Sequence, residues 1–123
     1  MTISEALNRI DTLKPNSYSE SEKIKWLSIL DGLIKKEIID THEGGESVVF
    51  NGYDDKTGKT TELLVPAPFD DIYVKWLESQ IDYANAEYAK YNNSSIAYNN
   101  ALSTYERYYN RHHMPVAQHL KFF

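Results

Sequence analysis

Apolar positions recur at helical spacing through four stretches of the chain. Ile3, Ala6, Leu7, Ile10 and Leu13 fall on one face, with Thr2 and Glu5 ahead of them at capping-box spacing. That pattern predicts a first helix near residues 2–13, stopping before Pro15. Ser19 and Glu22 repeat the signal before a second helix at 20–39. In it Trp26, Leu27, Ile29, Leu30, Leu33, Ile34 and Ile38 cover about half the circumference, while Lys25, Ser28, Lys35 and Lys36 hold the rest. An arc that wide suits a helix covered on two sides, by its own bundle or in part by another subunit.

After Asp40 the period changes. Gly44-Gly45 breaks the helix, and Ser47-Val48-Val49-Phe50 and Thr60-Thr61-Glu62-Leu63-Leu64-Val65 flank a turn-rich stretch at 51–59, a pattern for a β-hairpin or long arm ended by Pro66 and Pro68. The apolar residues of this segment lie at its base and its tip is polar, so it is expected to be mobile in the free subunit, dispensable for folding and used for assembly. Asp70 or Asp71 can cap a third helix at 71–91, in which Tyr73, Trp76, Leu77, Ile81, Ala84, Tyr88 and Tyr91 keep helical spacing up to an interruption at Asn92-Asn93. Ser94 or Ser95 can cap a fourth helix at 95–111, with Tyr98, Ala101, Leu102, Tyr105, Tyr108 and Tyr109 on one side. The expected fold is mostly α: a small helical bundle of about four helices with an inserted β-hairpin or long loop between helices two and three. One domain spans 1–123, with 44–67 as the arm and 115–123 as a C-terminal tail. Leu27, Leu30, Ile34, Trp76, Leu77, Ile81, Leu102 and Tyr105 are its expected core, and the two longest helices should pack antiparallel.

Composition narrows the function classes. At 123 residues the chain is long enough for one domain with a real core. It has no cysteine, which excludes disulfides, thiolate metal sites and cysteine nucleophiles. No apolar run is long enough for a membrane span, and the start of the chain lacks a basic region followed by an apolar one, so a soluble protein of the cytoplasm is expected. The net charge of −5 is uneven: residues 40–71 hold eight acids and two bases, whereas 1–39 hold six of each. Without a basic stretch there is no phosphate-neutralising surface, and nucleic-acid binding is disfavoured. Eight of the ten tyrosines lie between Tyr73 and Tyr109, suiting helix packing or a wet partner surface.

Several chemical signals fail on spacing. Gly52 to Thr60 resembles a phosphate loop, but its glycine is one position too far from Gly58-Lys59-Thr60 and a strand pattern comes next where a helix should begin. Asp54-Asp55 lacks the alternating ligands of a calcium loop. His112 and His113 are adjacent and point about 100° apart on a helix, and His119 lies beyond Pro115, which is poor zinc geometry. No Gly-x-Ser-x-Gly elbow occurs. The expectation is a non-enzymatic chain with no cofactor and no metal.

The stretches Leu30-Asp31-Gly32-Leu33-Ile34-Lys35, Glu37-Ile38-Ile39-Asp40-Thr41-His42, Pro68-Phe69-Asp70-Asp71-Ile72-Tyr73-Val74-Lys75-Trp76-Leu77, Tyr91-Asn92-Asn93-Ser94 and Arg111-His112-His113-Met114-Pro115 resemble small proteins from the structural gene clusters of tailed phages and prophages of Gram-positive bacteria, in the head-completion or head-to-tail connector family. The resemblance implies a small helical bundle with a projecting hairpin or loop, a homo-oligomeric ring that docks under the portal, and a location in the host cytoplasm during assembly and the virion neck afterwards. A small monomeric or dimeric protein-binding regulator, or another phage adaptor, is the alternative. The residues expected at partner interfaces are Phe50, Tyr53, Asp54, Asp55 and Leu64 on the arm, Tyr108 on the fourth helix, and Phe122 and Phe123 in the tail. Portal or tail-side adaptor proteins are the expected partners, with no sequence-specific nucleic acid and no membrane.

Overall fold

The computed structural model describes residues 1–116. Four α-helices carry the fold: α1 at Ile3–Leu13, α2 at Glu20–Ile34, α3 at Ile72–Ala84 and α4 at Tyr88–His112. The capping box of α1 is complete, since the Thr2 hydroxyl accepts the Glu5 amide at 3.1 Å and the Glu5 carboxylate accepts the Thr2 amide at 2.9 Å. Ser19 caps α2 by accepting the Glu22 amide. A π-helical turn at Lys35–Ile39 extends α2, closed by the Asp40 amide donating to the Lys35 carbonyl five residues back. The extra residue in that turn lets the consecutive Ile38 and Ile39 both be buried.

Helix α3 packs against the other three helices. Against α4 the pairs are Tyr83 with Tyr91, Trp76 with Tyr98, and Phe69, just ahead of α3, with Tyr108. The partner number falls as the α3 number rises, so the two helices run antiparallel. The same logic holds for α2, whose Trp26 carbonyl accepts the Trp76 indole N–H and whose Asp31 meets Tyr73. Helix α1 runs parallel to α3, with Arg9 beside Asp71 and Lys14 beside Asp82. Of the expected core, Leu27, Leu30, Ile34, Leu77, Ile81 and Tyr105 are buried; Trp76 and Leu102 are half-buried against it. Each fully buried Leu or Ile contributes on the order of 2 kcal/mol of burial free energy.

Three expectations need correction. Helix three stops at Ala84, well short of Tyr91. The Glu87 amide donates to the Asp82 carbonyl and the Ala86 amide to the Tyr83 carbonyl, with Ala86 left-handed at φ +58°, which is a Schellman-type stop without glycine. The interruption expected at Asn92-Asn93 does not occur, because both side chains are exposed inside α4, where asparagine costs only a few tenths of a kcal/mol relative to a good helix former. Neither Ser94 nor Ser95 is a cap for the same reason. Asp71 stands at the N-cap position of α3 but makes no side-chain capping bond; it faces Lys75 and Arg9 instead.

The β-hairpin is also absent: among the described residues no strand forms, and Thr2 with Glu62 and His42 with Pro115 make isolated bridges. The two limbs at 48–50 and 60–65 bind the helices. The Tyr53 amide donates to the Ser28 hydroxyl on α2, and the Phe50 ring lies over Gly32, 3.5 Å from where a Cβ would stand. The return limb meets the start of α1. The Ile3 amide donates to the Thr61 carbonyl at 3.1 Å, the Ser4 amide to the Lys59 carbonyl at 2.9 Å, and the Leu63 amide to the Met1 carbonyl at 2.9 Å. Amide groups at the start of a helix need such acceptors, so this limb completes the cap of α1. Segment 48–66 is a strap across three helices rather than a projecting arm.

Candidate functional site

The strap is fastened at Asp31, on the core-facing side of α2. Asp31 is fully buried, and its carboxylate accepts three hydrogen bonds: from the Tyr73 hydroxyl on α3 at 2.6 Å, from the Tyr53 hydroxyl on the outgoing limb at 2.5 Å, and from the Leu64 amide on the return limb at 3.0 Å. The Tyr73 hydroxyl in turn accepts the Val65 amide at 2.7 Å. Burial raises the Asp31 carboxyl above its ordinary range, against the pull of the two hydroxyls and the amide. Burial and the adjacent carboxylate also push the Tyr53 and Tyr73 phenols far above theirs. With its oxygens committed to these donors and no route to solvent, Asp31 orients the strap and is not poised as a base.

A second buried carboxylate, Asp82 at the end of α3, receives the Lys14 ammonium from α1 and the Ser94 hydroxyl from α4 at 2.8 Å. A groove of about 330 Å³ runs beside it, lined by Lys14, Glu78, Asp82, Lys90, Asn93 and Ser94. Its charges are paired within the chain, Lys14 with Asp82 and Lys90 with Glu87. Another concavity, of about 420 Å³, lies on the outer face of α1 between Met1, Glu5, Asn8, Arg9, Thr12 and Leu13. Apart from Met1 its walls are one helix, so polar groups do not converge there from several elements. Among the described residues no group of three His, Asp or Glu is placed to hold a metal, and no helix is long and apolar enough to cross a membrane.

The residues expected at partner interfaces divide between two places. Phe50 and Tyr53 stack edge to face at 5.1 Å, and Tyr53 and Leu64 meet through Asp31, with Asp54 and Asp55 exposed at the adjoining tip. Tyr108 belongs elsewhere, between the rings of Phe69 at 4.6 Å and His112 at 4.3 Å. Phe122 and Phe123 lie outside the described residues. Tyr53 and Leu64 are half-buried and held within the chain, and Asp54 accepts the Lys56 and Thr57 amides of its own turn.

Exposed apolar side chains mark two further surfaces. Ile29 and Leu33 stand outward on α2, 52% and 44% exposed, with Val49 of the strap at 76%. Tyr83, Tyr88 and Ile96 do so at and after the α3–α4 turn. That turn sits by the N-terminal end of α2, where the Tyr18 hydroxyl donates to Asn85, so the two surfaces lie toward opposite ends of the bundle. The residue pattern places Ile29 and Leu33 in the apolar arc that another subunit could in part cover, but it does not mark Asp31 as a site, although an acid inside that arc is a visible anomaly. No protein-family profile matches the chain, and no curated protein or solved structure matches it.

Proposed function

We propose that the chain is a non-enzymatic assembly subunit of a tailed-phage particle, a head-tail connector that forms a ring beneath the portal. The observation that carries this reading is the presence of two unlike exposed apolar surfaces on one small bundle. A closed ring is built from head-to-tail contacts, in which one surface of each subunit meets a different surface of the next. Ile29, Leu33 and Val49 offer an aliphatic face, and the neighbouring rings of Tyr83 and Tyr88 an aromatic one. The five sequence stretches from Leu30 to Pro115 add the resemblance to connector proteins, and the acidic 40–71 region suits a subunit beside a DNA passage that must not grip phosphate.

Native mass spectrometry of the protein alone and mixed with the portal protein of the same genome tests the reading. A ring of many copies, formed alone or on the portal, is the expected result. Leu33→Glu and Tyr88→Glu should each prevent it while leaving the monomer folded. A chain that stays monomeric in both samples, or that captures a single copy of an unrelated protein, overturns the connector reading in favour of a small regulator.

A further inference from the structure

We infer that Asn51 is a self-modification site: the backbone nitrogen of Gly52 displaces ammonia from the Asn51 side chain, and the isoaspartyl product loosens the hold of Tyr53 on Asp31. Asparagine followed by glycine occurs once in the chain, at 51–52. Glycine lacks the Cβ that hinders approach of its own nitrogen to the preceding side chain, and here it takes a left-handed φ of +86° on the strap. Asn51 is exposed, and among the described residues neither its side chain nor the Gly52 amide has a hydrogen-bond partner. The other eight asparagines are each held. Asn8, Asn92, Asn93, Asn99, Asn100 and Asn110 lie inside α1 or α4, where the next amide is committed to the helix. Asn16 donates to Asp11 and to the Lys14 carbonyl, and accepts from the Tyr18 amide and Lys23. Asn85 accepts from the Tyr18 hydroxyl at 2.6 Å and donates to Glu87, and the Ala86 amide beyond it is bonded to the Tyr83 carbonyl. Asn51 alone combines a free side chain with a free following amide.

Water is the only co-reactant. The Gly52 nitrogen gives its proton to solvent and bonds to Asn51 Cγ, and ammonia leaves with a proton from solvent, closing a five-membered imide. Water then opens the ring. Breaking the bond from nitrogen to Cγ yields aspartate. Breaking the bond to the main-chain carbonyl yields isoaspartate, whose backbone runs through the former side chain and is longer by one atom. Either product adds a negative charge to a chain already at −5, just ahead of Asp54 and Asp55. The longer backbone falls between two anchors, the Phe50 ring over Gly32 and the Tyr53 amide on the Ser28 hydroxyl at 3.0 Å. A segment fixed at both ends cannot lengthen in place, so the Tyr53 hydroxyl is displaced from Asp31.

The test ages the full chain in mildly alkaline buffer and maps it by peptide mass spectrometry, reading the mass gain of amide-to-acid exchange. Asn51 should convert at least about tenfold faster than any other asparagine, into two chromatographically distinct products, because only glycine leaves that approach open. Asn51→Gln, which would have to close a larger ring, should stay unmodified and keep the fold, since position 51 is exposed. The isoaspartyl fraction should melt several degrees lower than fresh protein, whereas Asn51→Asp, with the charge on a normal backbone, should not. Conversion at Asn51 no faster than at Asn16 or Asn85 overturns the site. An isoaspartyl fraction as stable as Asn51→Asp overturns the loosening of Tyr53. No portal or ring enters the experiment, so it can fail while the connector reading stands, and the reverse.

Discussion

Helix α4 and the strap at 48–66 make opposite use of the chain. Helix α4 is twenty-five residues of unbroken helix, yet its buried positions are Ser94, Tyr98 and Tyr105, which meet α3 or its flank, and Tyr109, which meets His42 beyond the end of α2. The strap has almost no regular structure, but it puts Leu63 and Val65 into the core, completes the cap of α1 and closes on a buried carboxylate that joins α2 to α3. Regularity reports how a segment satisfies its own backbone. Anchorage depends on how many other elements it satisfies, and there the irregular segment does more.

Asp31→Ala is the severest way to break that contrast. It leaves the Tyr73 hydroxyl and the Leu64 amide without an acceptor in the interior, and should lower unfolding free energy in urea by on the order of 3 kcal/mol or more. If the loss is under about 1 kcal/mol, the strap is held by packing alone. Replacing 51–59 with a short Gly-Ser turn removes Tyr53 and the Lys59 contacts to Ser4 and Glu20. It should cost about 2 kcal/mol, seen as a thermal midpoint several degrees lower. An unchanged midpoint would restore the projecting-arm picture. On the other side of the comparison, Ser94→Ala takes one hydrogen bond from Asp82 and should cost about 1 kcal/mol, whereas Ile96→Ala on the exposed face of α4 should stay within about 0.5 kcal/mol.

Two smaller effects sharpen the picture. Ala86 holds a left-handed conformation that glycine adopts without strain, so Ala86→Gly should raise stability by a few tenths of a kcal/mol or leave it level. Loss of more than about 1 kcal/mol would mean that the turn depends on the methyl group. Asp31 also makes stability depend on pH with a definite sign. Its carboxyl is raised in the folded state above the ordinary aspartate value, so the fold favours the protonated form. That contribution is complete below the unfolded value and is lost as pH rises through the folded one. Wild type should therefore fall relative to Asp31→Asn as pH climbs out of the ordinary aspartate range, and the opposite slope would show that the three hydrogen bonds outweigh burial.

Legibility in the sequence tracks the range of the interaction. Thr2 and Glu5, or Ser19 and Glu22, are three residues apart, and their caps are readable because capping is local. Core positions such as Leu27, Ile34 and Leu77 emerge from periodicity. The end of α3 is not readable because Ala86 occupies a place where glycine is the usual signal. The hairpin expectation fails because the short apolar runs Val48-Val49-Phe50 and Leu63-Leu64-Val65 show that a segment buries apolar groups, without showing whether the other limb or a helix covers them. Asp31 is least accessible of all: its partners lie 22, 33 and 42 residues away, and only the folded chain brings Tyr53, Leu64 and Tyr73 to one carboxylate.

The π-helical turn at Lys35–Ile39 has a consequence for length change in this chain. It amounts to a single-residue insertion in α2, accommodated as a phase shift between the body of the helix and the segment beyond it. Deleting one residue there would restore uniform helical bonding and turn everything downstream by about 100°. His42, whose Nδ1–H donates to the Ile38 carbonyl at 2.6 Å while Nε2 meets the Asn110 side-chain amide at 2.7 Å, would lose its partner on α4. With it would go the pairing of Thr41 and Glu43 to Val116 and Met114. A deletion that mends the helix would thus unfasten the far end of α4, and insertions or deletions should be borne more readily in the exposed turn at 54–57, provided Tyr53 and Lys59 keep their partners.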